Sequence, residues 1–149
     1  MNFLIKSRSQ SLHRQQNKVY DYQTYMIYGI GIDIVRIQRI KDVVEKWGES
    51  FLKRVFTENE IRYCYMKKNP YLSLAVRFAA KEALIKAIGS DIPVSFTEIE
   101  IINRDKGIPS VEIHGRLGDF LQEKAVKKIH LSLSHEHDYG VACVVLEHY

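Results

Sequence analysis

Cysteine is scarce in this chain. Of 149 residues only Cys64 and Cys143 are cysteines, far apart in sequence and each in an apolar setting. That excludes a disulfide framework and a zinc ribbon, and it suits a reducing compartment, so a cytoplasmic location is expected. Long hydrophobic runs are missing too, which leaves no segment to cross a bilayer as a helix. No stretch repeats at a solenoid period. The first 25 residues are poor in acid: Lys6, Arg8, Arg14 and Lys18 face Asp21 alone. They hold no apolar core of signal-peptide length, so secretion is not expected. They read as a disordered extension or an expression-derived leader rather than an organellar transit peptide. Four basic residues against one acid give this segment +3 of the formal net charge of +4. The remainder, residues 26–149, is nearly neutral, so the charge is no argument for nucleic-acid binding by the folded domain.

What is present fits one soluble domain. A hydrophobic fraction of 46% and a charged fraction of 27% are ordinary for a globular protein. At this length a real core forms. From Ile27 to Val35 the chain alternates, with Ile30, Ile32 and Ile34 on one face and Gly29, Gly31 and Asp33 on the other. This is a strand with one apolar face, which is expected to turn inward. The glycines beside an acid suggest room for a ligand near the backbone; Asp33 as a cap for the next helix is the plainer alternative. A dinucleotide fingerprint is excluded, because Ile34 stands where its third glycine belongs.

A helix is expected from about Arg36 to Trp47, with Ile37, Ile40, Val44 and Trp47 inward and Gly48 as its stop. Its outer face is mildly basic. Thr57 and Glu60 form a capping-box pattern for a short helix to about Lys68, broken by Asn69-Pro70. A strand is expected over Ser95–Asn103, then a turn at 104–107 and a partner strand over Ser110–Ile113. A short helix around Leu117–Lys124 follows. Lys128–Ser134 alternates, with Ile129, Leu131 and Leu133 inward. A polar turn at 136–139 leads into a Val-rich strand over Gly140–Leu146. Helices mixed with antiparallel strands give an α+β class.

The stretch with the most information is Arg77-Phe-Ala-Ala-Lys81-Glu82-Ala-Leu-Ile-Lys86-Ala-Ile-Gly89. It reads as a helix stopped by Gly89. Alanines and leucine cover one side, and Phe78 and Ile85 make a second apolar strip. Arg77 with Lys81, and Glu82 with Lys86, project in two stripes about 140° apart. Such a helix is largely enclosed, with its charges aimed at two places. Glu82 and Lys86 read either as an ordinary (i, i+4) surface pair or as a metal carboxylate beside a phosphate-binding lysine.

Three stretches in order, Gly29-Ile-Gly-Ile-Asp33-Ile-Val, Arg77 to Gly89 and Ser132-Leu-Ser-His135-x-x-x-Tyr139, resemble the holo-acyl-carrier-protein synthase family, the small bacterial-type 4′-phosphopantetheinyl transferases. The resemblance runs from Met26 to the end of the chain. It implies transfer of the phosphopantetheine arm of coenzyme A to a serine of apo-acyl carrier protein, in fatty acid biosynthesis, with adenosine 3′,5′-bisphosphate released. It implies magnesium held by Asp33 and Glu82, with Lys86 completing the catalytic set. It implies coenzyme A contacts at Arg77, Lys86, Gly89 and His135, and carrier-protein contact at Arg39. A homotrimer with coenzyme A between protomers is implied as well, with no nucleic acid and no membrane as partners. Ser90-Asp91-Ile92-Pro93 is shorter than the glycine-rich loop of many members. Two rivals are a zinc hydrolase built on His135, His137 and Asp138, and a carrier-binding module without catalysis.

Overall fold

The computed structural model describes Thr24, residues 26–89 and residues 92–149. Apart from Thr24, the segment read as an extension lies outside these residues, as do Ser90 and Asp91 of the shortened loop. The order is β1 (Met26–Arg36), α1 (Ile37–Val55), α2 (Glu58–Tyr65), α3 (Pro70–Ile88), β2 (Ile99–Asn103), β3 (Pro109–Ile113), α4 (Gly115–Glu123), β4 (Val126–Glu136) and β5 (Tyr139–His148). The α+β class holds. β1, β5 and β4 form an antiparallel sheet in that spatial order, and β2 and β3 form a separate hairpin.

Helix α3 is the axis of the core. Asn69 caps it by accepting hydrogen bonds from the Tyr71 and Leu72 amides, and Pro70 takes the first turn, where its missing N–H costs nothing. Gly89 ends it in the left-handed region at φ 60°. Leu74, Ala75, Ala79, Ala80, Ala83 and Leu84 are fully buried. Enclosure on two sides explains why the helix has no single polar face.

β1 packs opposite to the sequence expectation. Ile30, Ile32 and Ile34 are about 60% exposed, whereas Gly31 is buried against α3. A Cβ on Gly29 would sit 1.8 Å from the Ala87 carbonyl oxygen, and one on Gly31 1.8 Å from that of Ala83. The space left by the glycines is therefore filled by the helix backbone, not by a ligand. Alternation correctly split the strand into two faces, but hydropathy misassigned them: α3 needs the residues without side chains on its own side. Gly31→Ala is expected to cost about 1–3 kcal/mol, since the clash is with backbone that only a shift of α3 can relieve. Urea unfolding checks this; an unchanged midpoint would mean that the joint is not close-packed.

Other boundaries moved for local reasons. Gly48 does interrupt α1, with φ 52° and ψ −133°, but the chain re-enters helix and continues to Val55. Trp47 is 59% exposed rather than inward. Asp33 caps nothing; Arg36 holds the N-cap position of α1. The α2 helix ends at Tyr65, before Lys68, and its Thr57–Glu60 capping box is present. β2 begins only at Ile99, because Phe96–Glu98 form a 3-10 turn that takes Thr97 out of the strand.

The two charge stripes of α3 go to different places, as expected. Lys81 points away from solvent and donates to Glu60 Oε2 at 2.7 Å, the Val55 carbonyl at 2.7 Å and the Phe96 carbonyl at 2.9 Å. Glu60 also accepts from the Thr57 and Ile101 amides. One buried ion pair thus ties α1, α2, α3 and β2 together. The sequence assigned Glu60 only a capping role.

Candidate active site

The second stripe of α3 meets β1. Gly29, Gly31 and Asp33 share the strand face that rests on the helix, so Asp33 is brought to the turn of α3 that carries Glu82 and Lys86. Lys86 Nζ donates to Asp33 Oδ1 at 2.8 Å and to the Ile32 carbonyl at 3.1 Å. The Asp33 side chain is 16% exposed, that of Lys86 53%. Lys86 therefore pairs across to the strand, not with Glu82 along its own helix. The reading of Glu82 and Lys86 as a simple surface pair fails. A cavity of about 260 Å³ opens here, lined by Ile32, Asp33, Ile34, Lys86 and Val141.

Glu82 joins no ion pair or side-chain hydrogen bond among the described residues. Its carboxyl is held above the ordinary glutamate range, first by burial and then by the neighbouring Asp33 charge; Lys86 and Arg39 pull the other way. That balance places Arg39, from the first turn of α1, within the field of the same site. Two carboxylates without sulfur or imidazole suit a hard divalent cation that leaves room for phosphate oxygens. The residues present fit magnesium, and Asp33 and Glu82 are the ones that would hold it.

A pH dependence follows from the Glu82 shift. The folded protein holds this proton at a pH where the unfolded chain has released it. The resulting stabilisation is full below the unfolded carboxylate value and is lost as pH rises through the raised folded value. Glu82→Gln should therefore gain stability relative to wild type across that interval and then level off. Urea midpoints for both proteins over a pH series would show a widening and then constant gap; a constant gap throughout would contradict it.

Arg77 and His135 lie elsewhere. They share a cavity of about 490 Å³ with Tyr63, Lys67 and Asn103. Arg77 is 3% exposed, and its guanidinium donates to Ser73 Oγ at 2.8 Å and to Asn103 Oδ1 at 2.6 Å. It takes part in no ion pair among the described residues, and its Nε has no hydrogen-bond partner. Glu60 and Glu100 line a second cavity on the other side of Arg77, so its charge is balanced at a distance, and an anion in the larger cleft would add a direct partner. His135 is exposed at the end of β4. Gly89 is exposed and closes α3. Within one protomer, then, the predicted residues fall into two groups: Asp33, Glu82, Lys86 and Arg39 at β1, and Arg77 with His135 in the larger cleft.

The zinc arrangement does not form. His137 is 90% exposed and pairs with its neighbour Glu136, while the Asp138 carbonyl accepts from the Ile37 amide. Among the described residues, the set of three such side chains with ligand atoms within 4.8 Å is Glu100, Glu112 and His114, on the β2–β3 hairpin. Sequence reasoning also missed Tyr63, Lys67 and Asn103 in the cleft. The four-residue spacing of Tyr63 and Lys67 was the only available signal for the first two.

A family profile described as the 4′-phosphopantetheinyl transferase superfamily matches residues 29–144. The chain belongs to that superfamily. Its match spans both groups of site residues, from the Asp33 strand to the strand after His135. A holo-acyl-carrier-protein synthase of Halothermothrix orenii is 48% identical over 123 residues, which is 82% of this chain and 98% of that protein. The crystal structure of the Neisseria meningitidis holo-acyl-carrier-protein synthase superposes with a TM-score of 0.76 at 39% identity, over 81% of this chain and 98% of the other. The Bacillus anthracis synthase, solved in complex with coenzyme A (3′,5′-ADP), gives a TM-score of 0.69 at 39% identity, over 83% and 99%. The transferase fold expected from the motifs is thus the fold observed.

Proposed function

We propose that this protein is a holo-acyl-carrier-protein synthase: it transfers the 4′-phosphopantetheine arm of coenzyme A to a serine of apo-acyl carrier protein and releases adenosine 3′,5′-bisphosphate. The observation that carries this reading is the convergence of Asp33, Glu82, Lys86 and Arg39, in a chain that matches synthases over nearly their whole length. A magnesium ion held by Asp33 and Glu82 would supply neutralisation of the pyrophosphate charge. The serine oxygen bonds to the pantetheine-side phosphorus, and the bond from that phosphorus to the bridging oxygen breaks. The electron pair leaves on adenosine bisphosphate. The chain's own task is positioning and charge. Lys86, paired to Asp33 in the free protein, turns its ammonium to phosphate when substrate enters. The serine proton passes to a base at this site, Glu82 or solvent. No nucleophile is needed from this chain, because the partner brings it.

Assembly as a homotrimer belongs to this proposal. Ile30, Ile32 and Ile34 lie exposed beside Val141, Cys143 and Val145 of β5. A continuous apolar sheet face of this kind favours burial against other copies. Neighbouring copies would also bring the metal-type group of one protomer toward the Arg77 cleft of the next. No helix among the described residues is long and apolar enough to cross a membrane. The proposed setting is the cytoplasm, in supply of carrier protein for fatty acid synthesis.

Intact-mass measurement of apo-acyl carrier protein, after incubation with this protein, coenzyme A and magnesium, tests the reading. One added arm is expected; no gain across several carriers would overturn it, and carrier binding without mass gain would favour the non-catalytic rival. Arg39→Glu should weaken carrier recognition while sparing coenzyme A binding. A charge at the rim of an interface acts on encounter rate and salt dependence. The apparent carrier affinity should fall about tenfold or more at low salt, with the difference shrinking as salt rises. Equal loss of coenzyme A affinity would place Arg39 in the nucleotide site instead.

A further inference from the structure

The β2–β3 hairpin brings together a second set of ligating side chains, on different elements from Asp33 and Glu82. Glu100 on β2 lies directly opposite Glu112 on β3, and His114 follows two residues later at the N-cap of α4. Side chains two apart on a strand share a face, so all three project to the same side. One donor atom from each, two carboxylate oxygens and an imidazole nitrogen, lie within 4.8 Å of one another. His114 Nε2 and Glu100 Oε2 are 3.2 Å apart. Two carboxylates facing each other across a strand pair repel. Glu112 takes part in no ion pair or side-chain hydrogen bond among the described residues. Glu100 is 7% exposed, and burial pushes its pKa up. Side-chain hydrogen bonds from Asn59, His114 and Thr57 outweigh burial and hold the carboxyl below the ordinary glutamate range, so it keeps its charge. Lys81 and Arg77 act on Glu100 from the core side only at a distance, since their hydrogen bonds go to other groups. Two carboxylates thus meet one imidazole, without a cation bonded between them.

We propose that Glu100, Glu112 and His114 form a site for a zinc-class divalent cation, distinct from the Asp33–Glu82 pair, which fastens the β2–β3 hairpin to the start of α4. Mixed nitrogen and oxygen donors select such a metal: an imidazole suits zinc, whereas magnesium keeps to oxygen. Zinc–ligand bonds of about 2.0–2.2 Å place neighbouring donors about 3.0–3.6 Å apart. Glu112 and His114 are exposed, so side-chain rotation alone closes the set to that size. Glu100 is the fixed member. Asn59 and Thr57 hold its carboxylate from behind, the kind of outer support that orients a metal ligand and tightens its site. Three protein ligands leave a fourth position to water. The ion acts on the substrate cleft only through the hairpin. Asn103, Gly107 and Pro109, at the far end of that hairpin, line the cleft that holds Arg77. A two-stranded unit is marginal by itself, and a cross-link near its base restrains the whole of it.

The test is calorimetric titration of zinc alone into the full chain, its His114→Ala and Glu112→Gln variants, and Asp33→Asn as a control for the other carboxylate pair. The wild type should take up one zinc equivalent that a large excess of magnesium does not displace. His114→Ala and Glu112→Gln should each weaken that event by at least about tenfold, the scale of disturbing a metal's ligand shell. Asp33→Asn should leave it unchanged. The melting temperature of the wild type should rise with zinc, and that of His114→Ala should rise far less. Both substituted side chains lie at the surface, and melting without zinc checks that the variants are folded. No zinc uptake by the wild type, or equal uptake by all four proteins, would overturn the proposal. So would loss of the event in Asp33→Asn or its displacement by magnesium, either of which assigns the ion to the Asp33–Glu82 pair. None of these measurements uses coenzyme A or carrier protein, so their outcome stands apart from the transferase reading.

Discussion

Asp33→Asn and Glu82→Gln should each lower turnover by at least about 10²–10³-fold, the scale of losing one preorganised electrostatic partner. Neither should unfold the protein. Asp33 gives up an ion pair whose lysine is 53% exposed, worth little in water. Glu82 gives up a charge that burial and Asp33 already disfavour. The losses should therefore appear in turnover and in magnesium binding, with melting temperature nearly constant in Asp33→Asn and no lower than wild type in Glu82→Gln. Magnesium should bind the free wild type weakly and tighten with coenzyme A, and coenzyme A should tighten by the same factor with magnesium, because the coupling is reciprocal. Lys86→Met should separate from both, weakening coenzyme A while freeing Asp33. Calorimetric titration of magnesium with and without coenzyme A, alongside the carrier mass assay, checks all three. Full activity in either carboxylate variant, or tight magnesium binding indifferent to coenzyme A, would remove this pair as the metal site.

Lys81→Met is the change with the largest expected effect on stability. Burial outweighs the pull of Glu60 and lowers the Lys81 pKa, so this ion pair already exists at a cost. Removing the lysine strands a buried carboxylate and takes the donor from the Val55 and Phe96 carbonyls. Breaking one side of such a pair costs about 3–5 kcal/mol. For a domain of this size that corresponds to a fall in Tm on the order of 10–15 °C. Lys81→Met combined with Glu60→Gln should be milder than the sum of the two single changes, by more than about 1 kcal/mol, because the stranded charge is gone. A single-variant loss below about 1 kcal/mol, or strict additivity in the double variant, would show that the pair does not bind the four elements together.

Much of this site was legible because its residues are few and lie in rigid elements. Asp33 was marked by its place among glycines on a strand, and Glu82 and Lys86 by a helix whose charges did not share one face. The capping box at Thr57 and the stop at Gly89 followed from local chemistry. The facing of β1 was not legible. Isoleucines normally turn inward, and only the demand of α3 for bare backbone puts them outside; that demand is tertiary. Lys81 and Glu60 were unreadable as a pair for a similar reason. Their separation of 21 residues has no periodic signature, and either would serve equally well on a solvated surface. The Arg77 cleft draws on α2, α3, β2 and β4, so no single window of sequence could contain it.

The contact of α3 with Gly29 and Gly31 limits how this enzyme can move. Where side chains separate a helix from a strand, rotamer changes absorb small displacements. Here peptide groups bear directly on each other, so sliding α3 along β1 would drive the Ala83 and Ala87 carbonyls into the strand. Asp33 rides on one member of that joint, Glu82 and Lys86 on the other. The backbones that carry the three therefore travel as one stiff body, and what changes when substrate arrives is side-chain rotation, as when Lys86 turns from Asp33 to phosphate. Any closing motion must be carried by parts hinged outside the joint, such as the β2–β3 hairpin or the segment of α1 beyond Gly48, and by the approach of the carrier itself.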